Sequence, residues 1–303
     1  MLQPKDQPEY QEPPFHEKDH WFSFKDSCVS VVERRPQFHL ELKGHSLFFL
    51  HGRFGCATMW KPLCTRLSSH YRCISVDLPG FGRSYTIGER AFNLLDHVNL
   101  VTELTRQMTS ESEKVVLIGH DLGGGIAQLC ALHSPRKIAA MILINTACLT
   151  RSLPKLYLGL GGLMARKKLH QLLSEGGNLP LSDQTLIAFP WRKRTTRQSL
   201  IRALRAINES WPWHYEQLEW KRILKQIQNP VLLLWGQKDS MNPLDVAVEM
   251  MQKLPEAYFF THRDAGHWPT LEQPDWVVSK IREFIFRTGF GAEVTEGLQK
   301  NAI

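Results

Sequence analysis

The stretch Val115-Val116-Leu117-Ile118-Gly119-His120-Asp121-Leu122-Gly123-Gly124-Gly125 leaves this chain few choices of fold. Four consecutive apolar residues, three of them β-branched, predict a strand buried on both faces. Ile126 to Leu132 then reads as a helix. Between strand and helix there is room only for a very tight turn, centred on Asp121. Gly119 lies two residues before it, and Gly123 and Gly124 follow close behind. Small residues on both sides let the backbone take a strained conformation that holds one side chain out at the carboxyl end of the strand. That side chain is a carboxylate.

With 303 residues, the chain is long enough for one α/β domain carrying an insertion, or for two domains. Apolar residues make up 43% and charged residues 22%, ordinary values for a globular protein, and no apolar run reaches the length of a membrane span. The first residues, Met1-Leu2-Gln3-Pro4-Lys5-Asp6-Gln7-Pro8-Glu9, are polar and proline-rich and do not resemble a secretory signal, so a cytoplasmic location is expected. Cysteines 28, 56, 64, 73, 130 and 148 are scattered without a C-x-x-C pair, which predicts small buried thiols in a reducing compartment. The net charge of +7 comes from basic residues concentrated in one middle region. No nucleic-acid motif accompanies them, so they predict a solvated basic surface and no nucleic-acid partner.

In chain order, residues 1–20 predict a flexible, proline-rich arm. Val29 to Val32 and Phe38 to Leu42 predict an opening antiparallel ribbon. Leu47 to Leu50 and Cys73 to Leu78 are apolar strands, the first ending in His51-Gly52-Arg53-Phe54 and the second in Asp77-Leu78-Pro79-Gly80-Phe81-Gly82-Arg83-Ser84. Leu94, Val98, Val101, Leu104 and Met108 recur at helical spacing. Further strands are expected at Ala140 to Ile144, Val231 to Trp235 and Ala257 to Phe260. Helices are expected around Leu244 to Leu254 and behind Pro274. This alternation predicts a mostly parallel sheet with helices on both faces. It breaks between about Thr150 and Trp220, where helical patterns and breakers occur without a strand. The expected organisation is a core of 21–148 and 221–288, a helical cap over 149–220, and a tail over 289–303.

In an open parallel sheet, ligands bind beyond the carboxyl ends of the strands. The residues expected there are His51 to Arg53, Asp77, Asp121, Asn145, Asp239 and His267. Asp121, Asp239 and His267 follow in the order nucleophile, acid, histidine. With His51-Gly52, the Asp77–Ser84 turn, Trp235-Gly236-Gln237-Lys238-Asp239 and Gly266-His267, the pattern resembles the α/β-hydrolase fold from about residue 25 to 287. Aspartate at the nucleophile turn is similar to the branch holding epoxide hydrolases and haloalkane and haloacetate dehalogenases.

A carboxylate is anionic at neutral pH and can attack an sp3 carbon directly, forming an alkyl ester of Asp121. His267, oriented by Asp239, would then activate water against that ester. The resemblance implies backbone N–H groups of Arg53 and Leu122 as oxyanion donors. No metal or other cofactor is expected. His51, Asp77 and His120 read as supports for their own loops.

The substrate class is less constrained. Haloalkane dehalogenases carry tryptophan after the nucleophile and haloacetate dehalogenases resemble a pattern with arginine there; this chain has Leu122. Arg53 is a candidate substitute cation. Epoxide hydrolases use phenol hydroxyls from the cap, and the resemblance points to Tyr215 and Tyr157, with Trp213 and Trp268 lining the cleft. The proline of the His-Gly-x-Pro turn found in this branch is replaced by Phe54. The expected function is therefore an epoxide-hydrolase-like enzyme acting on a small, largely apolar substrate. The alternatives are a dehalogenase and a non-catalytic binding protein on the same scaffold. A homodimer stays open.

Overall fold

The computed structural model describes residues 15–36, 45–146, 194–210 and 217–290. Two long strands, β1 (Phe15–Phe24) and β2 (Ser27–Pro36), pair antiparallel along their full length. They are followed by β3 (Ser46–Leu50), a 3-10 turn over Ala57–Trp60, α1 (Lys61–Leu67), β4 (Cys73–Val76) and the short β5 (Tyr85–Thr86). Then come α2 (Leu94–Met108), β6 (Val115–His120), α3 (Leu122–His133) and β7 (Ile138–Ile144). After α4 (Arg194–Ser210) and α5 (Gln217–Gln226), the chain closes with β8 (Val231–Gly236), α6 (Leu244–Lys253), β9 (Ala257–His262), α7 (Pro269–Glu272) and α8 (Pro274–Arg287).

One sheet runs in the order β1-β2-β4-β3-β6-β7-β8-β9, with β5 on β2. The strands from β4 to β9 are parallel, and β1, β2 and β5 pair antiparallel. Every residue of β3, β4, β6, β7 and β8 is buried. Their mostly apolar character is what a sheet covered by helices on both faces requires. β9 is half-buried because it forms the sheet's far edge. The helices start where local chemistry allows. Asn93 caps α2 in a reciprocal box with Asp96, and Pro274 occupies the first turn of α8, where a missing N–H costs nothing.

The sequence reading needs correction at the N-terminus. β1 begins at Phe15, so residues 15–20 of the expected arm form a strand, and residues 1–14 lie outside the described residues. Of the ribbon predicted from Val29–Val32 and Phe38–Leu42, the first stretch lies in β2, which pairs with β1, and residues 38–42 lie outside the described residues. The cap expected over 149–220 is described only in part. In α4, Leu200, Ala203, Leu204 and Ile207 are buried, as their helical spacing demands. Cys28, Cys56, Cys64, Cys73 and Cys130 are free thiols, all but Cys28 buried; Cys148 lies outside the described residues. Among the described residues, no helix is long and apolar enough to cross a membrane.

Candidate active site

β6 and α3 meet at Asp121, whose backbone sits at φ 47°, ψ −115°. A non-glycine residue there is strained by roughly 1–3 kcal/mol and persists only when its surroundings over-determine it. They do. The Asp121 carbonyl accepts from Gly124 N (3.1 Å), Gly125 N (3.4 Å) and Thr146 Oγ1 (3.2 Å). The two glycines are obligatory for close packing. A Cβ on Gly123 would stand 2.0 Å from the Leu50 carbonyl oxygen, and one on Gly124 would stand 1.7 Å from Thr146 Oγ1.

The turn delivers the Asp121 carboxylate to the loop after β3. Oδ2 accepts from the Arg53 backbone N–H at 3.0 Å and from Arg53 Nε at 2.8 Å. Oδ1 accepts from Arg53 Nη2 at 2.6 Å and from Asn242 Nδ2 at 3.1 Å. Burial alone would push this carboxyl up, but the Arg53 guanidinium outweighs it and holds the group far below the usual carboxylate range. Asp121 is therefore a fixed anion at the N-terminus of α3, where the helix dipole also favours negative charge.

His267 and Asp239 lie at the neighbouring strand ends. His267 Nδ1–H donates to Asp239 Oδ2 at 2.9 Å, and both side chains are buried. Three further donors hold Asp239: Met241 N (2.7 Å) and Asn242 N (3.0 Å) on Oδ1, and Asn145 Nδ2 on Oδ2. With Oδ2 committed to it, His267 Nδ1 is the protonated nitrogen and Nε2 is the basic one. Nε2 is buried and has no partner among the described residues. Burial disfavours charge on His267, yet Asp239 and then Asp121 more than compensate and raise its pKa. Asp239 is lowered, His267 being the chief partner that overcomes its burial.

Supporting residues fix these positions. His120 Nε2–H donates to the His267 carbonyl at 2.7 Å, and burial pushes its pKa down to about 3, so it is neutral. His51 Nδ1–H donates to the Gly52 carbonyl (2.8 Å), and its Nε2 accepts from Leu78 N (3.1 Å), tying the Arg53 loop to the next strand end. Asp77 accepts from Ala57 N (2.6 Å) and Arg83 N (3.0 Å), anchoring its own turn. The Glu272 carboxylate accepts from Gly266 N (2.6 Å) and Trp268 N (2.9 Å), bracing the loop on both sides of His267.

The sequence-predicted residues sort as follows. Asp121, Arg53, Asp239 and His267 come together in one buried cluster. The Arg53 N–H points at Asp121 as expected, and Leu122 opens α3, where its N–H is among those without an intrahelical acceptor. The Leu122 side chain is fully buried. Trp268 is 1% exposed and packs its ring against His120 and His267, with centroids 4.9 and 5.1 Å apart. Tyr157, Trp213 and Tyr215 lie outside the described residues. Asn145, Asn242 and Glu272 carry positioning bonds that the sequence reading did not assign. A polar residue directly after a buried strand was the available signal for Asn145. Asn242 and Glu272 gave none.

A turn that presents a fixed side chain beside a histidine–carboxylate pair, in this order along a parallel sheet, is the decisive feature, and the sequence model for the alpha/beta hydrolase fold matches residues 46–274. The chain belongs to this family. Among curated relatives, the pimeloyl-[acyl-carrier protein] methyl ester esterase of Aliivibrio fischeri (strain MJ11) is 24% identical over 81% of this chain and 95% of its own length. The 2-hydroxy-6-oxononadienedioate/2-hydroxy-6-oxononatrienedioate hydrolase of Paraburkholderia phymatum is 25% identical, over 79% and 86%. Among solved structures, carboxylesterase CesB of Bacillus subtilis superposes with a TM-score of 0.72 at 22% identity, covering 90% of this chain and 93% of that one. At that identity the likeness speaks for the fold alone.

Proposed function

We propose that this protein is a hydrolase that works through a covalent ester of Asp121, with chemistry closest to epoxide hydrolysis. The observation that carries this reading is an ionised, buried carboxylate on a strained turn, beside a His267–Asp239 pair whose Nε2 has no partner among the described residues. The relatives' names describe ester and other hydrolases, which supports a hydrolase. A serine hydrolase of that kind needs a hydroxyl at the turn, and this chain has none there.

In the first step Asp121 Oδ1 attacks an epoxide carbon, the C–O bond breaks, and the oxygen leaving carbon takes a proton from solvent, which the re-formed Asp121 carboxyl gives back on ionising at the end of the second step. In the second, His267 Nε2 removes a proton from water, whose oxygen adds to the ester carbonyl carbon. The Arg53 N–H already rests on Oδ2, the oxygen that becomes the oxyanion. Collapse breaks the bond between carbonyl carbon and alkyl oxygen, returns the Asp121 carboxylate, and passes the His267 proton to the departing diol. Esterification removes the Asp121 charge that helps keep His267 protonated, so the first step prepares the base for the second. Epoxides stand ahead of haloalkanes because Leu122 offers no side-chain donor to a halide.

The test is turnover of styrene oxide and of 1-bromobutane by the native protein and by Asp121→Asn. The reading expects diol from the epoxide, and loss of at least 100-fold in the variant. Undiminished turnover in the variant overturns the nucleophile; halide release without diol moves the reading to dehalogenation.

A further inference from the structure

The Asp121 carboxylate is fully occupied. Each oxygen accepts two hydrogen bonds, and three of the four come from Arg53. The side chain of Asp121 is 1% exposed and that of Arg53 12% exposed, so Arg53 is the more accessible member of the pair. A lone pair on Oδ1 that is already committed to Nη2 and to Asn242 cannot reach carbon. The backbone donor on Oδ2 can stay through the reaction, because that oxygen is the one to be stabilised. The side-chain clamp on Oδ1 cannot.

Arg53 binds Asp121 side-on, through Nε and Nη2. Its Nη1 makes no hydrogen bond to a described residue, so the guanidinium offers a second edge, Nη1 with Nη2, to an incoming group. A neutral substrate has nothing with which to draw a guanidinium from a buried carboxylate. A second carboxylate does, because the fork geometry matches it, and Asp121 then keeps the Arg53 backbone N–H and Asn242 as donors. We infer that the Arg53 guanidinium is the recognition group for an anionic substrate, a carboxylate placed next to the electrophilic carbon, and that its transfer from Asp121 to the substrate unmasks the nucleophile. This rests on Asp121 being the nucleophile. It refines the expectation of a largely apolar substrate to one with an apolar body and one acidic group.

In covalent terms nothing new is required. Arg53 moves its hydrogen bonds from Oδ1 to the substrate carboxylate, Oδ1 attacks the adjacent carbon, and the epoxide oxygen leaves and is protonated. Hydrolysis then frees a dihydroxy acid and restores the clamp. Substrates lacking the acid leave Arg53 on Asp121 and react slowly. The arginine thereby also protects the carboxylate from unrelated electrophiles.

The experiment compares trans-3-phenylglycidate with its primary amide as substrates, and phenylacetate with phenylacetamide as unreactive ligands followed by calorimetry. All four are run on the native protein, and intact mass with peptide mapping is recorded for the two epoxides in His267→Ala, where the ester should persist. The inference expects kcat/KM for the glycidate to exceed that for the amide by about 100-fold, the scale of two charge-assisted hydrogen bonds. Phenylacetate should bind at least 10-fold more tightly than phenylacetamide. In Arg53→Gln the ratio of kcat/KM for the glycidate to that for the amide should fall from about 100 to about 1, whatever the absolute rates. Equal turnover of acid and amide with an adduct on Asp121 overturns the inference and leaves the nucleophile standing. Tighter binding of phenylacetate without an adduct from either epoxide overturns the nucleophile and leaves the anion site. Equal binding and no adduct overturns both. If Arg53→Gln fails to fold, the four native measurements decide alone.

Discussion

Replacing His267 by alanine separates the two chemical steps. The imidazole is needed to activate water but not for attack by Asp121, which is already ionised. A positioned general base contributes about 10²–10⁴-fold to its step. The lifetime of the Asp121 ester should therefore lengthen by that factor while its formation changes little. The site should survive the change, because Asp239 keeps Met241 N, Asn242 N and Asn145 as donors when His267 is gone. His267 is fully buried, so truncation costs about 3 kcal/mol of stability, the scale of a buried aromatic cut to alanine. His267→Gln fills most of that space and serves as the milder variant. Intact mass after incubation with an epoxide substrate should show one added epoxide, and peptide mapping should place it on Asp121. A variant that folds, consumes substrate at the native rate and carries no adduct refutes the reasoning, because water would then be activated elsewhere.

Three further outcomes follow from the same geometry. His267 has a raised pKa, so it is charged over a range extending above the ordinary 6.5, and the charged form cannot accept a proton from water. As pH falls through that range the adduct should accumulate in the native enzyme while single-turnover alkylation stays flat; parallel loss of both steps would place the titration elsewhere. Gly124→Ala should lower the Tm and cut activity more than 10-fold, since its Cβ would collide with Thr146, which bonds the Asp121 carbonyl. Unchanged activity would show that the turn tolerates displacement. Glu33, buried and bonded to Arg35, His20 and Arg72, has its pKa lowered from 4.5 to about 2 despite burial acting the other way. The folded-state pKa is below the unfolded one, so this stabilisation is present above pH 4.5 and fades as pH falls toward 2. Glu33→Gln should cost roughly 3 kcal/mol at pH 7 and little near pH 2, checked by denaturant melts at both.

The sheet centre was legible because burial on both faces permits only apolar strands. β3, β4, β6, β7 and β8 accordingly stand out in the sequence, and with them the residues that follow their carboxyl ends. Asp121 and Asp239 are among them, and His267 follows the half-buried β9. β1 was missed for the same physical reason in reverse. As an edge strand it exposes His16, Glu17, Lys18 and Asp19 in succession, which reads as an unstructured arm. The Arg53 loop was identified, yet its grip on Asp121 joins residues 68 apart in sequence, and no local pattern announces it. Asn242 is hidden likewise: it sits in the turn after Asp239 but acts on Asp121 and the Asn145 carbonyl.

The central claim is that Asp121 forms and loses a covalent bond in every cycle. Turnover in oxygen-18 water tests it most directly, because water attacks the ester carbonyl carbon and leaves one of its oxygens in the regenerated carboxylate. Over many turnovers the peptide bearing Asp121 should gain label at the carboxylate. A peptide that stays unlabelled while labelled product accumulates from the first cycle would contradict the account, since water would then be attacking the substrate itself.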